Sequence, residues 1–194
     1  MTAVLRSVGG AAIQLHLGRW RARPDAAERA LLAVLDDPVL DIGCGPGRIP
    51  TALAAEGRVV LGIDTAPSAT DEARRRGAPT LERSVFDPLP GEGRWGTTLL
   101  LDGNIGIGGD PRTLLERCGA LLRRGGSVVA EVAGSGTRST PLTVRVETDG
   151  TAGPWFEWAV VSIDGWDDLV LRAGLERGLV RSFDGRLFAS AVRP

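Results

Sequence analysis

Apolar and polar positions change period along this chain, and the changes predict an alternation of strands and helices. Between residues 24 and 37, Ala27, Leu31, Val34 and Leu35 recur at helical spacing behind Pro24 and Asp25, so a helix is expected there. Val39–Ile42 is a short apolar run that ends in glycines and reads as a strand. A helix follows from about Arg48 to Ala55, with Pro50 in its first turn where no donor is lost. The same logic predicts strands at 58–63, 80–85, 97–101 and 127–132. Helices fall between them at 68–76, with Ser68 as its cap, and at about 110–123 behind Asp110 and Pro111. Strands that alternate with helices in this way predict a doubly wound, Rossmann-like sheet, mostly parallel.

The pattern then departs from that alternation. Residues 142–147 and 155–162 read as two strands around a turn at 149–153, a hairpin added to the sheet or to its mouth. A helix is expected at 164–173. Strands near 176–182 and 186–192 then meet at Asp184-Gly185, a dipeptide that favours a tight hairpin. The expectation is one α/β domain over 1–194, built on a seven-stranded sheet with an antiparallel C-terminal hairpin. Within it, 1–23 would be an N-terminal lid segment, 24–133 a ligand-binding core, and 134–194 the closing strands and the side facing a second ligand.

Composition narrows the chemistry. Of 194 residues, 23 are basic and 24 acidic, for a net charge of −1, which is a poor footprint for nucleic acid. All the basic residues are arginine, so a Schiff-base or general-base lysine is excluded; tyrosine is absent and His16 is the sole histidine. Cys44 and Cys118 lack metal-ligand spacing and suit reduced thiols. The start of the chain does not read as a signal peptide, and no apolar run approaches the roughly 20 residues of a membrane span. These features predict a cytoplasmic protein without a metal.

The most informative stretch is Asp41-Ile42-Gly43-Cys44-Gly45-Pro46-Gly47, placed where a strand becomes a helix. Glycines there let the backbone turn tightly and approach a ligand. The next strand ends at Asp64, 17 residues after Gly47, where a carboxylate can accept from both hydroxyls of a ribose. Dinucleotide sites space their glycines as Gly-x-Gly-x-x-Gly to seat a pyrophosphate. Here the spacing is Gly-x-Gly-x-Gly behind an aspartate. A carboxylate at that turn repels a pyrophosphate and favours a cationic group such as an α-ammonium.

These residues carry a resemblance. Asp41–Gly47 resembles the first motif of class I S-adenosylmethionine-dependent methyltransferases, and Gly62-Ile63-Asp64 resembles their second. Ser84-Val85-Phe86-Asp87 stands where the family binds adenine. Leu99–Asp102 matches the fourth strand, and Gly125-Gly126 precedes the fifth. The resemblance implies that S-adenosylmethionine is the cofactor and S-adenosylhomocysteine the product. It places Gly43, Cys44, Gly45 and Gly47 along the methionine portion and ribose, Asp41 toward the amino group, and Asp64 on the ribose hydroxyls. Ile63, Ser84, Val85 and Phe86 would meet the adenine; Asp102 and Asn104 would sit at the mouth beside the methyl.

His16 is a candidate base, because N-terminal segments of this family lie over the cofactor; Arg19 and Trp20 would lid the site. Trp155, Phe156 and Trp158 are either ordinary packing or the wall of an acceptor pocket. The short chain and near-neutral charge point to a small-molecule acceptor rather than a protein. Two other readings stay open: a nonenzymatic relative acting by cofactor binding or protein contacts, and a nicotinamide-dependent oxidoreductase.

Overall fold

The structure is a computed structural model that describes residues 3–15, 17–148 and 151–194. In chain order its strands and helices are β1 (Ala3–Ser7), β2 (Ala12–Leu15), α1 (Leu17–Arg21), α2 (Ala26–Leu32), β3 (Val39–Ile42), α3 (Arg48–Ala55), β4 (Val60–Asp64), α4 (Pro67–Arg75) and β5 (Thr80–Glu82). There follow β6 (Trp95–Leu100), a 3₁₀ turn at Asn104–Gly106, α5 (Pro111–Leu121), β7 (Leu122–Val132), β8 (Thr140–Thr148), β9 (Thr151–Ala152), β10 (Phe156–Val160), α6 (Ile163–Arg172), β11 (Glu176–Phe183) and β12 (Arg186–Val192).

Seven of these strands form one sheet in the order β11-β12-β7-β6-β3-β4-β5. Neighbours from β7 to β5 are all parallel, and β12 runs antiparallel to both β7 and β11. The expected seven-stranded, mostly parallel sheet and its C-terminal hairpin are both present. Asp184 and Gly185 take φ of 49° and 76° at the hairpin turn, the left-handed pair that a two-residue loop demands. Strand β6 is buried along its whole length: Leu100 packs with α5 and α6, while Leu99 and Leu101 pack with α2 and α3. A strand covered on both faces favours apolar residues, and of its two threonines Thr97 satisfies its hydroxyl on the Asp36 carbonyl at 2.8 Å.

Element bounds differ from expectation where proline intervenes. The helix expected over 24–37 ends at Leu32, with Ala33 as its cap donating to the Arg29 carbonyl at 3.1 Å, and Pro38 keeps Asp37 out of any continuation. Pro67, not Ser68, sets the start of α4: its fixed φ suits the first helical position, and Ala66 is the cap.

The larger difference is a second sheet. The strands expected near 142–162 do pair, as β8 with β10, and of the two placements expected they take the one at the mouth of the main sheet. They form an antiparallel sheet in the order β10-β8-β1-β2, with β9 on β8. Residues 3–15, expected as part of a lid segment, supply two of its strands. One face presents Leu5, Ile13, Leu15, Val146, Phe156 and Trp158; the other carries the Arg6–Glu147 and Arg145–Glu147 ion pairs.

Candidate functional site

The strand order reverses between β3 and β6, since the chain proceeds outward to β4 and β5 before returning. At such a point the loops leaving adjacent strands diverge and open a crevice at the strands' carboxyl ends. Here the apolar face of the second sheet roofs that crevice. The result is a cleft of about 890 Å³, within the range of small-molecule sites.

The glycine turn forms one wall. Gly43 and Cys44 both donate to the Ile63 carbonyl at 2.8 and 3.0 Å, Gly45 donates to Asp64 Oδ2 at 2.8 Å, and Gly47 donates to the Cys44 carbonyl at 3.1 Å. The N–H groups of the three glycines are therefore engaged inside the protein and do not point at a ligand. A Cβ on Gly45 would meet nothing within 4 Å, so this is where the backbone lies open to the cleft.

Gly43 and Gly47 are glycines for other reasons. A Cβ on Gly43 would strike Asn104 Nδ2 at 2.5 Å, and one on Gly47 would strike the Cβ atoms of Ala73 and Ala78 at 2.7 and 2.9 Å. Gly47 does not line the cleft; it lets α3 and α4 approach. Cys44 does line it. Burial, with the charges of Asp41 and Asp64, pushes its thiol far above the usual range, so it is held as the inert thiol rather than the thiolate.

Asp41 faces the cleft from β3 while only 3% exposed, and its carboxylate has no hydrogen-bond partner among the described residues. Burial first, and then the nearby Asp102, Asp64 and Glu28 charges, push its pKa up to about 7 against the opposing pull of Arg48. Asp64, at the end of β4, accepts from Gly45 N through Oδ2 and from Ala66 N at 2.9 Å through Oδ1. Each oxygen keeps acceptor capacity beyond that one bond, and the residue lines the cleft.

Ser84, Val85, Phe86 and Ile63 line the adjoining end. Ser84 Oγ accepts from Phe86 N at 3.2 Å and so shapes the turn. The Val85 carbonyl is held by Arg117 Nε at 2.8 Å. Phe86 is 44% exposed and rests against Gly108. Asn104 turns its amide inward, donating to the carbonyls of Ile42 and Gly43 at 2.8 and 2.9 Å. It clamps the end of β3 while lining the cleft.

Asp102 follows β6 with φ of 53°, a left-handed conformation that costs a non-glycine residue and persists where surroundings impose it. Its N–H donates to Glu131 Oε2 at 2.9 Å and its Oδ2 accepts from Arg48 Nη2 at 2.5 Å. These contacts belong to a network that motif reading did not reveal. Glu28, fully buried on α2, receives Arg48 Nη1, Arg19 Nη2 at 3.0 Å and Arg186 Nη1 at 3.1 Å. Arg186 also grips Glu131 through Nε and Nη2 at 2.8 and 2.7 Å. Burial would raise Glu28, yet Arg48 and the other arginines hold it below the usual carboxylate range. Asp25 and Glu28 form a reciprocal capping box at the start of α2, the one part of this network with a sequence signature.

The expected lid residues are brought to the site by α1. Arg19 reaches Glu28, and Arg21 forms a two-pronged contact with Glu72 on α4 at 2.9 and 3.0 Å. Trp20 between them lines the cleft. His16 lies outside the described residues. Phe156 and Trp158 meet edge to face at 6.0 Å in the cleft, whereas Trp155 is on the outside beneath Arg145. No cluster of metal-ligating side chains occurs among the described residues, and none of their helices is long and apolar enough to cross a membrane.

With this geometry in hand, likeness to known proteins is informative. Residues 39–126 match a family model described as a methyltransferase domain. No curated protein matches the chain. Among solved structures, an S-adenosylmethionine-dependent methyltransferase from Bacteroides fragilis, in complex with S-adenosyl-L-homocysteine, superposes with a TM-score of 0.83 at 18% identity, covering 100% of this chain and 88% of its own. The 1,6-didemethyltoxoflavin-N1-methyltransferase of Burkholderia thailandensis gives 0.64 at 22% identity over 92% and 83%, and the CcbJ methyltransferase of Streptomyces caelestis gives 0.64 at 18% over 87% and 94%. The first of these spans both sheets.

Proposed function

We propose that this chain, which has the class I methyltransferase fold and a methyltransferase domain at residues 39–126, binds S-adenosylmethionine in the cleft and transfers its methyl group to a small-molecule acceptor. The observation that carries the cofactor reading is the pairing of an engaged glycine turn with an unengaged Asp41. A turn whose N–H groups are already taken by Ile63, Asp64 and Cys44 offers little to a pyrophosphate, and the buried carboxylate beside it calls for a cation. The α-ammonium of S-adenosylmethionine is such a cation, and the molecule has no phosphate. This weighs against the nicotinamide reading.

When bound, the cofactor supplies an activated methyl on a sulfonium. The protein's tasks are then positioning and exclusion of water. Asp64 holds the ribose hydroxyls, Gly45 lets the backbone come close, Ile63 and Phe86 pack on the base, and Asn104 fixes the turn. The second sheet supports a small acceptor: with α1 it roofs the cleft, so an acceptor must fit under Leu5, Ile13, Trp20 and Trp158. Side-by-side calorimetric titration with S-adenosylmethionine, S-adenosylhomocysteine and NADH tests the reading. We expect the first two to bind and NADH not to; binding of NADH alone would overturn it.

Asp41 makes the affinity depend on pH. The ammonium needs the carboxylate, whereas the free protein holds the carboxyl protonated below about 7. Binding below that pH must expel a proton. S-adenosylhomocysteine affinity is therefore expected to rise roughly tenfold per unit as pH approaches 7 from below, then level off. The free protein shows the opposite trend in stability. A carboxyl with a raised folded-state pKa favours folding while protonated, so its contribution declines from about pH 4 to 7. Asp41→Asn should flatten both profiles, and an unchanged binding profile in that variant would remove Asp41 from the site.

A further inference from the structure

Resting on the methyl-transfer reading, we propose that the acceptor is a hydrophobic amine whose nitrogen is received between the Asp102 carboxylate and the Trp158 ring. Asp102 Oδ2 is bound by Arg48, but Oδ1 is not hydrogen-bonded: Arg19 and Arg186 approach it no closer than 3.7 and 3.8 Å. The Asp102 backbone is held in the left-handed region, and the residue lines the cleft with Oδ1 in longer ion pairs but free to accept a hydrogen bond. Trp158 lines the same cleft and packs against the next residue, Gly103, where a Cβ would touch its Cζ2 at 4.0 Å, and Phe156 braces that indole edge-on.

A carboxylate oxygen and an aromatic ring lining one cleft can together receive a positive nitrogen, which gains from both the charge and the ring quadrupole. The lining as a whole agrees, since Asp41, Asp64, Asp102, Glu131 and Glu157 outnumber Arg48 and Arg83. A carboxylate or phosphate acceptor would be repelled, and an alcohol would gain little from the charge. The apolar inner face of the second sheet takes the carbon skeleton.

The chemistry balances with these groups. The bound ammonium gives one proton to Asp102 Oδ1. Burial holds this carboxyl above the usual range, which makes it a better proton acceptor than a solvated aspartate. The freed lone pair forms the N–C bond to the methyl while the S–C bond breaks and its electron pair returns to sulfur. The methylated product leaves as an ammonium, and Asp102 returns its proton to solvent.

The test is calorimetry with three probes of one skeleton, tryptamine, indole-3-ethanol and indole-3-acetate, each titrated into protein saturated with S-adenosylhomocysteine. We expect tryptamine to bind at least tenfold tighter than the alcohol and the acid not to bind. Trp158→Leu should weaken tryptamine about tenfold and leave the S-adenosylhomocysteine affinity unchanged. Asp102→Asn should slow methylation of tryptamine about 100-fold, and should slow it less as pH rises and the amine deprotonates unaided. Alcohol or acid binding as tightly as the amine, or none of the three binding to the saturated protein, overturns the proposal. Failure of S-adenosylhomocysteine itself to bind overturns the cofactor reading as well, so the two failures are told apart in the first titration.

Discussion

Replacing Asp64 with alanine is expected to weaken S-adenosylhomocysteine binding about 100-fold, measured by calorimetry on protein whose melting curve shows it to be folded. The size follows from the role proposed for the carboxylate. Two ribose hydroxyls donating to a charged acceptor are worth about 1.5 kcal/mol each at the low end, and about 3 kcal/mol is a factor of about 100 in affinity. The same oxygens also accept from Gly45 and Ala66, so alanine frees the glycine turn while removing the ribose contact. Asp64→Asn separates the two effects. Its amide oxygen can still accept from one of the backbone donors, but its NH₂ faces the other donor and turns it away. An intermediate loss of about tenfold is expected, with faster amide hydrogen exchange at Gly45 or Ala66. An unchanged dissociation constant in folded Asp64→Ala protein would take this residue out of the site.

The position of Asp64, at the end of β4 and in the cleft, was legible because it combines three local signals: an apolar run, its end, and a glycine turn one element earlier. The whole main sheet was legible on the same terms, since each strand and helix is decided largely by its own residues. What sequence reading lost was set by partners distant in the chain. Strands β1 and β2 pair across Gly9-Gly10, and the runs around that dipeptide alternate weakly enough to read as a lid. The burial of β1 comes with β8, more than 120 residues away, while β2 pairs with β1 alone and stays mostly exposed, and short N-terminal residues carry no mark of that pairing. Phe156 and Trp158 share a face by simple alternation, which was readable. That the face looks into the cleft depended on the second sheet, which was not. Gly47 shows the converse: a motif glycine assigned to the ligand is required by the packing of Ala73 and Ala78.

Arg48 was the least legible of all, one arginine among 23 basic residues, yet its loss is expected to have the largest effect on stability. Arg48 is 5% exposed and Glu28 fully buried. Removing the guanidinium by Arg48→Met leaves Asp102 with only its longer contacts to Arg19 and Arg186, at 3.7 and 3.8 Å, and Glu28 with two of its three. Deleting one partner of a buried pair costs about 3–5 kcal/mol, because the remaining charge stays desolvated. For a chain of this length that lowers the melting temperature by roughly 6–20 °C. Arg48→Met combined with Glu28→Gln should recover part of the loss, since the second change removes the orphaned charge, whereas two independent sites would add.

The same substitution acts on the cofactor site through space. Arg48 is the group that restrains the rise of the Asp41 pKa, so without it the carboxyl stays protonated to higher pH. In Arg48→Met the pH at which S-adenosylhomocysteine affinity levels off should therefore move above 7. A protein merely loosened by the mutation would bind more weakly at every pH with no shift in the profile. That outcome would assign Arg48 to the scaffold and not to the electrostatics of the cleft.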